Sequence, residues 1–373
     1  MKKILFATTA LVASAGFASA QDLGVAMTGS AEMGIFSKDR LNVNTGAVTE
    51  SDSQFFTDLD IRFTMSGVAD NGLTFGATID LDEAADRNNP GKFETPSDQG
   101  GEAIFVSFGG ATFTMGDTDG AYDARIGEVA LAGGSLNDDE TTHLGFDDQD
   151  GLFDGFASGI DGSADGQVAR FDYTFSTFTF SLSMEQGDNG AGDVDNIYGA
   201  GVSYDTVMAG INLGLGLGYQ AQNDFADSVG FSVIGGMSNG FSAGISYAST
   251  NFDDNAQRGA TNAVAATPAT VDLVTGAIIP GTAAIAAEFA IGDETQKNFG
   301  IGFGYEMNAF AVGLNYGKVT NANGVDGFDV EGVGLAAAYD LGGGLQAQFG
   351  YGHSYSDDFD NVNSYSAGLS MSF

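Results

Sequence analysis

The 373-residue chain has no cysteine and no tryptophan, only 4 prolines, and 12 lysines and arginines against 50 aspartates and glutamates. Without cysteine there is no disulfide framework, thiol nucleophile or thiolate metal site. A chain this short of bases cannot neutralise phosphates, which excludes nucleic acid as a partner. Its two histidines, His143 and His353, are far apart and lack any recognisable zinc spacing. No nucleophile motif is present, and nothing sets the pKa values of neighbouring acids apart, so these read as solvated carboxylates rather than an acid–base pair. The sequence therefore speaks against an enzyme. Long apolar runs are missing too: residues 273–287 are uncharged but broken by Gly276, Pro280 and Gly281. That stretch is too short and interrupted to span a bilayer as a helix and reads as an alanine-rich loop.

Present instead is a signal-like amino terminus, with Lys2 and Lys3, an apolar run over residues 4–12 and Ala18-Ser19-Ala20 as a small-residue cleavage site. Residues 1–20 are read as this exported leader and residues 21–373 as one domain. Removing the two lysines takes the formal charge from -38 to -40. Hydrophobic residues make up 43% of the chain and recur with strict periodicity, which argues against disorder.

That period is two. Leu59, Ile61, Phe63 and Met65 alternate with Asp58, Asp60, Arg62 and Thr64, and Ile211, Leu213, Leu215, Leu217 and Tyr219 alternate with Asn212, Gly214, Gly216 and Gly218. Each such run is a strand with one apolar and one polar face. Tight-turn signals join neighbours in pairs, as at Asn71-Gly72, Asn239-Gly240 and Gly342-Gly343-Gly344. Sixteen segments result, and short turns alternate with long connections. The pattern predicts an all-β, transmembrane, antiparallel up-and-down barrel of sixteen strands, apolar outside and wet inside, because closure removes edges that hydrocarbon cannot satisfy. Tyr219, Tyr247, Tyr316 and Tyr351 fall at one end of the apolar faces, and Tyr204, Tyr305, Tyr339 and Phe373 at the other. They read as two interfacial girdles. Glycine, 57 residues in the whole chain and present on both strand faces, is read there as tolerated filler.

Residues 116–167 break the rhythm, with thirteen acids and one base, Arg125. A connection this long is expected to be functional, and the reading here is a loop that narrows the bore. Oxygen-rich clusters before a glycine, Asp117 with Asp119 and Asp147 with Asp148 and Asp150, suit a hard cation such as Ca²⁺, although neither continues as an EF-hand. The alternative is a solvated acidic surface. Phe105, on the polar parity of its strand, is expected to pack against the loop.

Several patches resemble the general diffusion porins of Gram-negative outer membranes, most closely the alphaproteobacterial, Rhodobacter-type porins. They are Phe63-Thr64-Met65-Ser66-Gly67, Gly72-Leu73-Thr74-Phe75-Gly76-Ala77, Met115-Gly116-Asp117, Ala338-Tyr339-Asp340-Leu341-Gly342-Gly343-Gly344 and the terminal Phe373. The resemblance implies a homotrimer in outer-membrane lipid and lipopolysaccharide, reached through the periplasm, with the third long loop folded into the bore and basic side chains on the wall opposite its acids. The positions that match are Arg40, Arg62 and Arg170 for the wall, facing Glu128, Asp138, Asp139 and Glu140 on the loop. It also implies calcium at acidic loops, and no required cofactor. The expected activity is passive diffusion of small hydrophilic solutes and ions with a mild preference for cations. The alternatives are a solute-specific channel and a structural or adhesive barrel acting through its loops.

Overall fold

The computed structural model describes residues 24–42, 46–84, 99–149, 156–160, 167–186, 195–253, 270–271, 278–279 and 291–373. The leader assigned to residues 1–20 and Asp150 of the second acidic cluster lie outside them.

Sixteen strands close into one barrel, each antiparallel to its neighbours. They are β1 Gly24–Lys38, β2 Gln54–Val68, β3 Thr74–Ala84, β4 Gln99–Phe108, β5 Ala111–Gly116, β6 Val168–Phe175, β7 Phe178–Glu185, β8 Ile197–Met208, β9 Ile211–Gln222, β10 Ala226–Met237, β11 Phe241–Phe252, β12 Gln296–Met307, β13 Phe310–Thr320, β14 Val330–Gly342, β15 Leu345–Tyr355 and β16 Val362–Ser372. β1 pairs with both β2 and β16, in a register that sets Ser30 opposite Ser372 and Lys38 opposite Ser364. The final residue completes the seam, Phe373 N–H donating to Gly29 C=O at 2.8 Å.

The period-two pattern produces this result directly. Apolar side chains of one parity stand exposed on the outer wall, among them Leu182, Leu217, Phe231, Phe303 and Leu314. A monomer in water would not carry so much contiguous apolar surface, whereas a bilayer requires it. Tyr219, Tyr305, Tyr339 and Phe373 are exposed at the ends of that wall, where girdles are expected. Among the described residues no helix is long and apolar enough to cross a membrane.

Two expectations change. The link between β9 and β10 is only residues 223–225, because the ladder runs on to pair Gln222 with Ala226. The tip is held by apolar contact, buried Phe225 lying edge-on to Phe252 at 6.4 Å in a cluster with Ile160 and Ile197. Phe105 rests on its cross-strand neighbour Gly76, where an added Cβ would lie 2.6 Å from the ring, so a glycine seat in the wall accommodates it.

A second apolar cluster sits among the loops at the mouth. Phe156 of the acidic loop packs edge-on to Phe328 at 5.4 Å, and Phe359, Val319, Val330 and Val362 complete the group. Leu41 and Val48 join it from a small hairpin that pairs Arg40–Asn42 with Ala47–Thr49. These contacts tether the far part of the acidic loop from above.

Candidate functional site

Beyond Gly116 the chain turns into the bore and lies on the inner wall. The outbound limb starts on β8, where Ala121 covers Gly199 and Gly201, and passes β9 and β10, where Tyr122 and Ile126 cover Gly218 and Gly230. It continues over β12, with Val129 on Gly300 and Gly302, and reaches β16 and β1, with Leu136 against Gly34 and Gly368. The chain then doubles back. Asp139 lies on Gly350 and Gly352 of β15, Glu140 on Gly334 and His143 on Gly332 of β14, and Gly145 on Gly317 of β13.

Glycine is the requirement for this fit. At Gly201, Gly216, Gly302, Gly313, Gly317, Gly334 and Gly352 an added methyl would overlap a carbonyl oxygen of the loop. The reading of glycine as tolerated filler is therefore corrected for the inner face: without Cβ atoms there, the wall admits a second layer of backbone. Short polar side chains beside the glycines supply hydrogen bonds. Ser183 and Ser232 accept from the backbone N–H groups of Ala121 and Gly127 at 2.8 Å each, and Asn315 Nδ2 donates to Glu140 C=O at 2.7 Å. Gln296 and Asn298 donate to Phe156 C=O, at 3.1 and 2.7 Å. The signal was in the sequence, since Gly214, Gly216 and Gly218, or Gly300, Gly302 and Gly304, all share the polar parity of their strands.

The loop lies on the arc from β8 round to β1 and borders an opening, a cavity of about 720 Å³, lined on one side by β2 to β7 and also reached by Asp205 of β8, Ser232 of β10, Ser242 of β11 and Glu306 of β12. Three arginines line it. Arg62 donates from Nε and Nη2 to the two carboxylate oxygens of Asp80, directly across the β2–β3 ladder, at 2.8 and 2.6 Å. Buried Arg170 on β6 donates from Nε to Asp172 Oδ2 at 3.0 Å and from Nη1 to the loop carbonyl of Asp119 at 2.7 Å. Arg125 comes from the loop itself, out of the single 3₁₀ turn Asp123–Arg125, and places Nη2 3.8 Å from Asp172 Oδ1. Ser181 Oγ donates to that same oxygen at 2.6 Å. Asp172 thus gathers Arg170 and Ser181 of the wall and Arg125 of the loop at one carboxylate.

Among the expected bases, Arg62 and Arg170 line the opening and Arg40 does not. Arg40 is exposed in the small rim hairpin, opposite Thr49, because β1 ends at Lys38 and the chain leaves the wall before reaching it. Its place in the cluster is taken by Arg125, which the sequence shows as the lone base of the acidic stretch. Among the expected acids, Glu128 and Glu140 line the opening, Asp138 is exposed elsewhere on the loop, and Asp139 is fully buried against β15 and β16. Asp117 and Asp119, expected as cation ligands, line the opening as well. An Arg40→Ala variant should accordingly leave the reversal potential of the channel unchanged, while Arg62→Ala, freeing Asp80, should move it toward cations.

The acids of these clusters that the structure describes are engaged within the protein. Asp117 Oδ2 accepts from Gly101 N–H at 2.8 Å, and Asp119 Oδ2 lies 3.7 Å from Arg170 Nη1. Asp147 is buried, its Oδ1 accepting from Ser158 N–H at 2.8 Å, and burial lifts its carboxyl to about 6. Among the described residues no group of three or more His, Asp or Glu side chains is arranged to hold a metal.

Comparison with known proteins bears on the whole chain. Residues 7–359 match the sequence model described as Gram-negative porin. A porin of Rhodobacter capsulatus is 27% identical over 325 residues, which cover 86% of this chain and 91% of that protein. Among solved structures, a multiply substituted Rh. blastica porin superposes with a TM-score of 0.61 at 16% identity, covering 94% of this chain and 100% of that one. A porin structure refined at 1.8 Å gives 0.59 at 20% identity with the same coverage. At these identities the structural likenesses bear on the fold.

Proposed function

The chain belongs to the Gram-negative porin family and forms a channel in the outer membrane, and from that premise we propose that solutes pass between the acidic loop and the β2–β7 wall with a preference for cations. One observation carries this reading: the opening is lined by three arginines and seven acids, and each arginine is already engaged with a carboxylate. The lining acids outnumber the arginines and include Glu128 and Glu140 on the loop and Glu306 near the opposite end of the barrel. In a low-dielectric, narrow path such an excess raises the local concentration of cations and lowers that of anions.

The arginines have a second role in this reading. Arg62, Arg125 and Arg170 share the neighbourhood of Asp119 and Asp172, and Glu128 and Glu140 border the same opening from the loop, an arrangement that would set a field transverse to the direction of flow. Small dipolar solutes align with it, and apolar ones lose hydration without compensation. The process is passive diffusion with no turnover. Outer-leaflet lipopolysaccharide and two further copies of the chain are the proposed neighbours of the apolar outer wall.

A salt gradient across a planar bilayer tests the preference. The expected result is a reversal potential of cation-selective sign that weakens as ionic strength rises and the Debye length falls below roughly 10 Å. A reversal potential of the anion-selective sign overturns the proposal.

A further inference from the structure

The opening has an apolar side that selection by charge alone does not use. On β10 the inner parity reads Ser228, Gly230, Ser232, Ile234 and Gly236, so one large side chain stands where its neighbours are small. Ile234 meets the loop there. Its Cγ1 and Leu131 Cδ1 both lie over Gly244 of β11, 3.1 and 3.5 Å from where a Cβ would be, and its Cδ1 crowds Gly127. Ala132 follows over Gly304 and Gly313. Ile234 is 8% exposed and forms the seat, while Ala130, Leu131 and Ala132 are half-buried and line the opening with the surface that remains.

Acids stand at two borders of this ledge. Glu128, exposed, lies on the loop between Gly127, whose N–H donates to Ser232 Oγ of β10, and Val129, which rests on Gly300 and Gly302 of β12. Glu306, also exposed, is the next inner side chain of β12 after Gly304, about 7 Å further along the strand. Both line the opening. The bases of the lining belong elsewhere, Arg62 and Arg170 to β2 and β6, and Arg125 to the first part of the outbound limb, over Gly201 and Gly216.

We infer, resting on the cation preference of the opening, that it selects small organic ammonium ions over inorganic cations of the same charge. The ammonium group is held by Glu128 or Glu306, and a short alkyl body lies on Ala130, Leu131 and Ala132. An inorganic cation gains the carboxylates and nothing from the ledge. A neutral apolar solute has no charge for the acids beside it, and an organic anion meets two carboxylates at the same place. An alkylammonium ion gains both contacts, and each methylene that leaves water is worth about fourfold in affinity.

Single-channel currents of the full-length protein in a planar bilayer, carried by KCl, test this. Added methylammonium and n-butylammonium should each reduce the potassium current, with half-reduction at about tenfold lower concentration for n-butylammonium, because the ledge covers one side only of its three extra methylenes. Current is read as a fraction of each variant's own KCl value, so a change in basal conductance does not enter. Leu131→Ser should bring the two concentrations within about threefold of each other, and Leu131→Met, which keeps apolar surface at that place, should hold them apart. Equal concentrations for the two ions in the parent, or a gap that survives Leu131→Ser, overturns the inference. A gap lost in Leu131→Met as well as in Leu131→Ser assigns the effect to a loosened loop and overturns it too. A cation-selective reversal potential without dependence on chain length sinks this inference alone, whereas an anion-selective one removes the reading beneath it.

Discussion

Replacing Gly302 and Gly317 together by alanine is expected to lift the acidic loop from the wall and open the channel. The first methyl would overlap the carbonyl oxygen of Val129 on the outbound limb, and the second that of Gly145 on the returning limb. Both obstacles are backbone, so neither can swing aside as a side chain would. Overpacking of this kind costs roughly 1–3 kcal/mol at a site, and the two sites sit on different limbs, so the penalties should approximately add. The barrel itself should survive, because both glycines face the bore and their ladder hydrogen bonds are untouched. Gly235→Ala is the matched control: its nearest atom would be Ile211 Cγ2 at 3.6 Å, an ordinary contact.

The loop provides its own reporter. Arg125 is the sole lysine or arginine in residues 116–167 and is largely buried against β8 and β9. Trypsin should therefore spare the parent loop and cut the double variant after Arg125, while single-channel conductance rises. A double variant that resists trypsin and conducts like the parent would show that the glycine track does not hold the loop.

This prediction could not have been made from the sequence, although its ingredients were there. Sixteen strands, their order and their two faces follow from a period of two, because alternation is a local property that survives in any closed antiparallel sheet. The acidic loop was visible for the same reason, as a gap in that period. Its path was not, since where Val129 or Glu140 comes to rest depends on wall residues separated from it by well over a hundred positions. Arg40 and Asp139 show the cost. Each has the right charge in the right neighbourhood of sequence, yet Arg40 falls past the end of its strand and Asp139 turns into the wall instead of the opening. Arg125 stands in the sequence as the one base of an acidic stretch, with nothing local to say what it meets. Its partner Asp172 is on a strand that begins only after the whole loop has returned.

Removing Arg170 should separate the two roles of the arginine cluster. Arg170 is 7% exposed, and its guanidinium holds both Asp172 and the loop carbonyl of Asp119. In Arg170→Ala, Asp172 keeps only Ser181 and the distant Arg125, so a mostly buried carboxylate loses its main counter-charge. Breaking a buried pair from one side costs about 3–5 kcal/mol. The start of the loop should loosen accordingly, seen as trypsin cleavage after Arg125, and the lining should become one charge more negative, seen as a reversal potential further toward cations. Adding Asp172→Asn removes the stranded charge. It should restore the parent's reversal potential, because the lining regains its original net charge, and recover much of the protection, because an amide tolerates burial better than an unpaired carboxylate. Full protection should not return, since Asp119 C=O still lacks its donor and Arg125 has now lost its anion. If the second substitution restored neither property, Asp172 would not be the point that couples the loop to the wall.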